Sequence, residues 1–131
     1  MSLDPHDLLA EVEPDLAAVA RAAAQSPQPF QVTYGLRTLQ AEKIAVATGH
    51  STTLHSRHLA DQDGYAAAID VTPIIDGQLN FAKGREAEVY GLIASQMFAA
   101  ADRLGIDIEW GGDWDSFKDW GHFQLPWNDY P

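Results

Sequence analysis

The sequence predicts a single α+β domain in which helices pack against a small, mostly antiparallel sheet. Segments whose apolar residues recur at helical spacing are interleaved with segments that alternate apolar and polar residues, as strands do. Turn residues separate these segments. The chain has 131 residues, of which 46% are hydrophobic, and this length suffices for one core but is short for two domains. We therefore expect residues 1–131 to form one domain.

Residues 14–24 are predicted to form the first helix. Pro14 suits a first helical turn, and Asp15 complements the positive end of the helix dipole. The apolar face of this helix comprises Leu16, Val19, Ala20 and Ala23. Prolines follow and end the helix, and Phe30–Tyr34 then alternates in the manner of a half-buried strand.

Residues 38–48 are predicted to form a second helix, with Gly49 as its C-terminal cap. This arrangement places Arg37 at a strand-to-helix junction. Residues 50–66 are rich in Ser, Thr, His, Asp and Gly and show no periodicity. A loop of this length in so small a domain more often serves function than mere connection.

A second strand is predicted at residues 66–74, where the period of two returns. Ile69 and Val71 would face the core. The opposite face then carries Ala68, Asp70 and Thr72. Asp76-Gly77 is a turn signal that ends this strand.

The segment after Gly84 is the clearest helix in the chain, and Gly105 follows it as a stop signal. Its predicted buried stripe comprises Val89, Leu92, Ile93, Met97, Ala100 and Leu104. Ile106–Glu109 alternates as a short strand, and Trp110–Trp114 is a turn-rich aromatic loop.

A last strand is predicted around residues 122–125. Phe123 and Leu125 would be buried, and His122 would lie on the polar face. Asp70 and His122 thus both occupy the polar faces of predicted strands.

Composition excludes several classes of function. The formal net charge of −11 and the pI near 4.5 argue against binding nucleic acid. Without cysteines, any metal must take nitrogen and oxygen ligands. No apolar run is long enough to cross a membrane, and the N-terminus lacks the basic and apolar regions of an export signal. We expect a monomer without a membrane or nucleic-acid partner.

Two distant stretches offer a candidate zinc site. His58, Asp70 and His122 match the usual catalytic set of three nitrogen and oxygen ligands with one position left for water. Asp119 lies three residues before His122, within reach of the same water. Spacing alone leaves a purely structural alternative open. His58 would then be a loop histidine and Asp70 a solvent-facing strand residue. His122 would be a histidine with its hydrogen bonds satisfied, and Asp119 a turn or capping aspartate.

Other residues compete for these roles. Asp61 and Asp63 lie in the same loop as His58, but Asp70 is the better candidate because a strand fixes the direction of its side chain. Arg37 could hold a substrate carboxylate or an oxyanion through its planar guanidinium, or equally form a buried structural ion pair.

Six short stretches together resemble one known family. In chain order they are Val12–Leu16, Phe30–Thr38, Gly49–Thr53, Ser56–His58, Ala68–Asp70 and Asp119–Gln124. They look like the motifs of the phage L-alanyl-D-glutamate endopeptidases, which belong to the VanY-like zinc D-Ala-D-Ala carboxypeptidase group. Each motif is weak by itself, but the resemblance covers nearly the whole chain in the right order.

The resemblance implies specific roles. The S-x-H and A-x-D elements would supply His58 and Asp70 as the first two zinc ligands. The D-x-x-H element would supply Asp119 as catalytic base and His122 as the third ligand. Arg37, in the G-x-R-T element, would contact the substrate or the transition state. The implied fold is the hedgehog/DD-peptidase-like one.

The chain departs from the family pattern between its first two ligands. The family usually has a short H-x-x-G-x-A-x-D run, whereas eleven residues, Leu59–Ile69, here separate His58 from Asp70. We expect an insertion at Asp61–Tyr65 that bulges outward and borders the substrate cleft, with Tyr65 available for a contact.

The implied function is that of a phage endolysin that hydrolyses the L-Ala-D-Glu bond of the peptidoglycan stem peptide. Such an enzyme would stay in the host cytoplasm until a holin admits it to the periplasm and cell wall. One alternative is a D-Ala-D-Ala carboxypeptidase or dipeptidase, since only the pocket would differ. Another is a non-catalytic wall-binding phage module, although such a binder has no need of Asp119.

Overall fold

The computed structural model describes residues 8–24, 27–35, 65–115 and 118–126. These ranges contain two α-helices and five strands, which confirms the predicted α+β class. In chain order they are α1 (Pro14–Ala23), β1 (Phe30–Tyr34), β2 (Ala68–Ile75), β3 (Gln78–Leu79), α2 (Glu86–Leu104), β4 (Glu109–Trp110) and β5 (His122–Gln124). Short 3-10 helices at Leu8–Glu11 and Gly111–Asp113 complete the described elements.

The sheet has the order β1-β2-β5-β4, and β3 extends β2 as a hairpin. All of these strand pairs are antiparallel. Asp76 and Gly77 form the hairpin turn with φ values of 54° and 78°, which suits a tight turn of this kind. The turn predicted there is confirmed.

The two helices pack together and cover the sheet. α1 begins at Pro14 as predicted and buries Leu16, Ala17, Val19, Ala20 and Ala23. The largest fully buried side chains come from both helices, from β2 and β5, and from the residue that follows β5: Leu16, Ile69, Ile93, Met97, Phe123 and Leu125. These side chains belong to a single hydrophobic core between the helices and one face of the sheet. The opposite face of the sheet carries the polar side chains.

β2 departs partly from the predicted alternation. Ile69 and Val71 are buried as expected, and Asp70 is only half-buried. Ala68 and Thr72, predicted on the polar face, are buried as well. Side chains of the neighbouring strands contribute to this burial, since the Thr72 hydroxyl lies within hydrogen-bond distance, 3.1 Å, of that of Thr33 on β1.

α2 buries a stripe that is rotated from the predicted one. Val89, Ile93, Met97 and Ala100 are buried as expected, but Leu92 and Leu104 remain 49% and 48% exposed. Tyr90, Ala94 and Ala101 take their place in the buried face. The prediction was wrong at both leucines because the packing of α1 and the sheet, rather than side-chain hydrophobicity, decides which face of the helix is covered.

Gly105 ends α2 as predicted, in the left-handed conformation with φ 72°. The backbone N–H of Ile106 then bonds the Ala101 carbonyl at 2.9 Å, so this residue completes the helix cap. For that reason β4 begins only at Glu109, later than the strand predicted at Ile106–Glu109.

Several predictions lie outside the described residues. These are the helix at residues 38–48, most of the loop at residues 50–66, and the side chains of Arg37 and His58. The bulge predicted at residues 61–65 is described only at Tyr65, which is 36% exposed.

Candidate metal centre and active-site cleft

The register of β2 and β5 brings two predicted ligands together. Asp70 on β2 lies directly opposite His122 on β5, and side chains of opposed residues share one face of the sheet. The His122 Nδ1 atom is 3.3 Å from Asp70 Oδ1. His122 is almost buried, with an 8% exposed side chain, whereas 33% of the Asp70 side chain reaches solvent.

A tight turn adds Asp119 to the pair. The His122 N–H bonds the Asp119 carbonyl at 3.2 Å, and the Asp119 N–H bonds the Gly111 carbonyl at 3.1 Å. Asp119 Oδ2 thereby lies 3.9 Å from His122 Nδ1, with 41% of its side chain exposed. The turn is anchored to β2 by a bond of 2.9 Å from the Val71 N–H to the Gly121 carbonyl.

Gly111 permits this close approach. A Cβ atom at position 111 would collide with the Asp119 carbonyl oxygen and would lie 3.1 Å from the His122 Cβ. Since both neighbours belong to the candidate site, a larger residue would displace the site itself.

The donor set fits a divalent metal. One donor atom each from Asp70, Asp119 and His122 lies within 4.8 Å of the others. Two ligands at ~2.1 Å from one tetrahedral ion are about 3.4 Å apart, close to the 3.3 Å between Asp70 Oδ1 and His122 Nδ1. A carboxylate and an imidazole suit zinc, and the chain has no cysteine to compete for it.

His122 is held from its second ring nitrogen as well. Its Nε2 atom lies 2.7 Å from Gln124 Oε1, and the ring of Trp114 packs against it with centroids 5.2 Å apart. Burial by itself lowers the pKa of His122, but the hydrogen bonds to Asp70 and Gln124 and the charges of Asp70 and Asp119 outweigh it. The resulting pKa is therefore raised above its ordinary value.

A cleft of about 510 Å³ opens beside two of the three donors, Asp70 and Asp119. Its lining combines both carboxylates with aromatic, hydroxyl and charged side chains, among them Thr33, Tyr34, Phe81, Glu86, Tyr90 and Lys118. Burial, followed by the charges of Glu86, Asp119 and Asp70, raises the pKa of Tyr90. The phenol thus keeps its proton and can donate a hydrogen bond into the cleft.

The structure brings together three of the predicted site residues, Asp70, Asp119 and His122. His58 and Arg37 lie outside the described residues. Sequence reasoning missed Tyr90 because it is adjacent to the predicted apolar stripe of α2 rather than in it. The contacts of Gln124 with His122 and Glu109 were missed too. The spacing of two residues between His122 and Gln124 could have indicated the first, because it puts both side chains on one face of the strand.

Across the described ranges, no helix combines the length and apolar character needed to span a membrane.

Comparisons with known proteins agree with this geometry. A family model described as phage L-alanyl-D-glutamate peptidase matches residues 1–124. The L-alanyl-D-glutamate peptidase of Escherichia phage T5 is 30% identical over 116 residues, which cover 86% of this chain and 79% of that protein. The crystal structure of the Serratia marcescens L-Ala D-Glu endopeptidase ChiX matches with a TM-score of 0.83 at 37% identity, covering 98% of this chain and 91% of that one.

Proposed function

Because the chain belongs to the phage L-alanyl-D-glutamate peptidase family, we propose that it is a zinc-dependent peptidoglycan endopeptidase. It hydrolyses the L-Ala-D-Glu bond of the stem peptide. As a phage endolysin it would act as a monomer, staying in the host cytoplasm until a holin admits it to the periplasm and cell wall.

The observation that supports zinc most directly is the 3.3 Å separation of Asp70 Oδ1 and His122 Nδ1. We assign these two residues as ligands and His58 as the third, following the motif order of the family. When bound, zinc would polarise the scissile carbonyl and lower the pKa of the attacking water.

Asp119 serves as the general base. Its carboxylate is 3.9 Å from His122 Nδ1 and more exposed than that of Asp70, so it lies beside the ligands and open to the cleft. It accepts one proton from the attacking water as the oxygen bonds to the L-Ala carbonyl carbon. It then gives this proton to the nitrogen of D-Glu as the C–N bond breaks, which leaves a carboxylic acid and a free amine.

The cleft provides the remaining substrate contacts. Tyr90 donates a hydrogen bond from its phenol to a substrate carbonyl or to the oxyanion, and Arg37 is the second candidate for that contact. Lys118 is the one cation among the described lining residues, and its Nζ bonds the Gly112 carbonyl at 3.0 Å. D-Glu keeps a second carboxylate whichever of its carboxyl groups continues the peptide, and Lys118 is the cation placed to pair with it.

The test is mass spectrometry of fragments released from purified peptidoglycan. The protein is assayed as prepared, after a chelator, and after zinc is restored. Zinc-dependent release of peptides that begin at D-Glu supports the proposal. Release of terminal D-Ala alone would replace it with a carboxypeptidase, and no cleavage by folded, zinc-loaded protein would indicate a wall-binding module.

A further inference from the structure

We propose that Gln124 and Glu109 are positioning residues that hold His122 in the tautomer whose Nδ1 lone pair faces Asp70 and Asp119. The proposal deepens the assigned function and rests on it only in treating Nδ1 as the metal-binding atom. Its evidence is a chain of two hydrogen bonds that leads away from the metal centre.

The strand register places this chain of residues on one face of the sheet. His122 and Gln124 are two positions apart on β5, so their side chains point the same way. Glu109 on β4 lies directly opposite Gln124, and Asp70 on β2 lies directly opposite His122. The four side chains thus form one row across three strands.

The end of the row determines the direction of each hydrogen bond. A carboxylate can only accept, so the group of Gln124 that lies 2.9 Å from Glu109 Oε1 must be its NH2. The amide oxygen of Gln124 must then face His122, where it lies 2.7 Å from Nε2. An amide oxygen also only accepts, and the proton between these two atoms therefore resides on Nε2.

The Asp70 carboxylate at Nδ1 also only accepts, so a protonated ring donates from both nitrogens. A neutral ring keeps its proton at the shorter bond, which is the one of 2.7 Å from Nε2 to Gln124, and its lone pair is then on Nδ1. That atom is 3.3 Å from Asp70 Oδ1 and 3.9 Å from Asp119 Oδ2. Three electron-rich atoms converge there, an arrangement that a cation stabilises. His122 and Gln124 are each only 7% exposed, so water has little access to the bond between them and does not substitute for it.

The alternative tautomer would bring a proton to Nδ1 and leave two lone pairs, on Nε2 and on the Gln124 oxygen, facing each other. Gln124 could relieve this only by turning its amide, which would set its oxygen against the Glu109 carboxylate. Glu109 thus acts on His122 through Gln124, without touching the metal or the substrate.

The experiment measures both the tautomer and the zinc affinity. Histidines are labelled with 15N, and the His122 signals are identified among the five histidines of the chain by comparison with His122→Ala. The metal-free protein is observed at a pH where the imidazole is neutral, and zinc affinity is measured by chelator competition. We expect a protonated Nε2 in the wild-type protein.

Variants separate positioning from general stability. Gln124→Leu removes the acceptor and should lose the defined tautomer and about 10- to 100-fold in zinc affinity. Glu109→Gln lets the amide of Gln124 turn, and this variant should lose less zinc affinity than Gln124→Leu does. Glu88→Gln is the matched control, because this exposed glutamate on α2 pairs with Arg85 at the surface and should change neither the tautomer nor the zinc affinity.

A reciprocal exchange provides the rescue. Gln124→Glu alone places two carboxylates next to each other and should perturb the row. In the double variant with Glu109→Gln, the carboxylate at position 124 accepts from His122 Nε2, and the amide at position 109 donates to that carboxylate. Both the tautomer and the zinc affinity should therefore return. A purely structural requirement for the original pair would give no such recovery.

Two results would overturn the positioning role. The first is a proton on Nδ1 of His122 in the metal-free wild-type protein. The second is unchanged tautomer and zinc affinity in folded Gln124→Leu. Because the tautomer is observed without metal or substrate, failure of the peptidase assay alone would refute the proposed function and leave this inference standing.

Discussion

Asp70 and Asp119 are both carboxylates near His122 Nδ1, yet their surroundings suit them to different tasks. Asp70 lies on a central strand, closer to Nδ1 and less exposed. Asp119 lies on a turn and opens to the cleft. A rigid strand holds a ligand in place, whereas an exposed carboxylate beside the ligands can exchange a proton with water and substrate.

This difference predicts separable losses. Asp119→Ala should keep the fold and the zinc but lower kcat by about 10²- to 10⁴-fold, the usual contribution of a general base. His122→Ala should lose both zinc and activity. Zinc content and kcat are measured on the same samples, with Asp107→Ala as the control because that aspartate is exposed in the loop after α2. Full hydrolysis by Asp119→Ala would remove the assigned base.

The raised pKa of His122 predicts two opposite pH effects. In the metal-free protein, its contribution to the free energy of unfolding is fully present below the unfolded value of about 6.5 and is lost as the pH rises through the folded pKa. Zinc binding requires the deprotonated ring, so the increase in Tm on adding zinc should grow from about pH 6 to pH 8. Thermal unfolding with zinc and with chelator measures both, and a zinc-induced shift that shrank with rising pH would contradict the assignment of His122 as a ligand.

At the scale of the elements, strand alternation was enough to predict that Asp70 and His122 lie on polar faces. It was not enough to predict that β2 and β5 are neighbours, because strand order depends on the packing of the whole chain. Motif order, through the family resemblance, led to that proximity instead. The row through Gln124 to Glu109 was missed for the same reason, since pairing between β4 and β5 is invisible in either strand alone.

The turn that carries Asp119 predicts a contrast between two glycines. Gly111→Ala should lower the free energy of unfolding by about 1–3 kcal/mol through overpacking, and should also reduce activity because the added Cβ meets Asp119 and His122. Gly91→Ala is the control. Nothing lies within 4 Å of a Cβ at that helical position, so it should stabilise α2 by about 0.5–1 kcal/mol without changing activity.

Denaturant unfolding and peptide hydrolysis, measured on both glycine variants, test this contrast. Normal activity and stability in Gly111→Ala would mean that the turn does not need the close approach of these backbones.

At the scale of the whole molecule, the fold class was predictable because helix and strand periodicities are local properties of the sequence. The rotated face of α2 was not, as Leu92 and Leu104 illustrate, because burial depends on what packs against the helix. The cleft was also beyond prediction. It joins residues from β1, β2, α2 and the turn before β5, which only the assembled domain brings together.

The net charge of −11 predicts how the association of the protein with peptidoglycan depends on salt. The stem peptides also bear carboxylates, so long-range repulsion should slow encounter at low ionic strength. The value of kcat/KM on intact peptidoglycan should therefore rise as salt increases from about 10 to 150 mM, where the Debye length shortens to about 8 Å. A steady fall in kcat/KM with salt would instead indicate a local cationic surface that dominates binding.

The most direct test of the account is a zinc titration of the metal-free protein, followed by the rate at which peptides beginning at D-Glu are released from peptidoglycan. We expect the rate to rise linearly and to reach its maximum at one equivalent of zinc, with no activity at any equivalent for His122→Ala. Undiminished release of these peptides by the metal-free protein, or equal activity of His122→Ala, would contradict it.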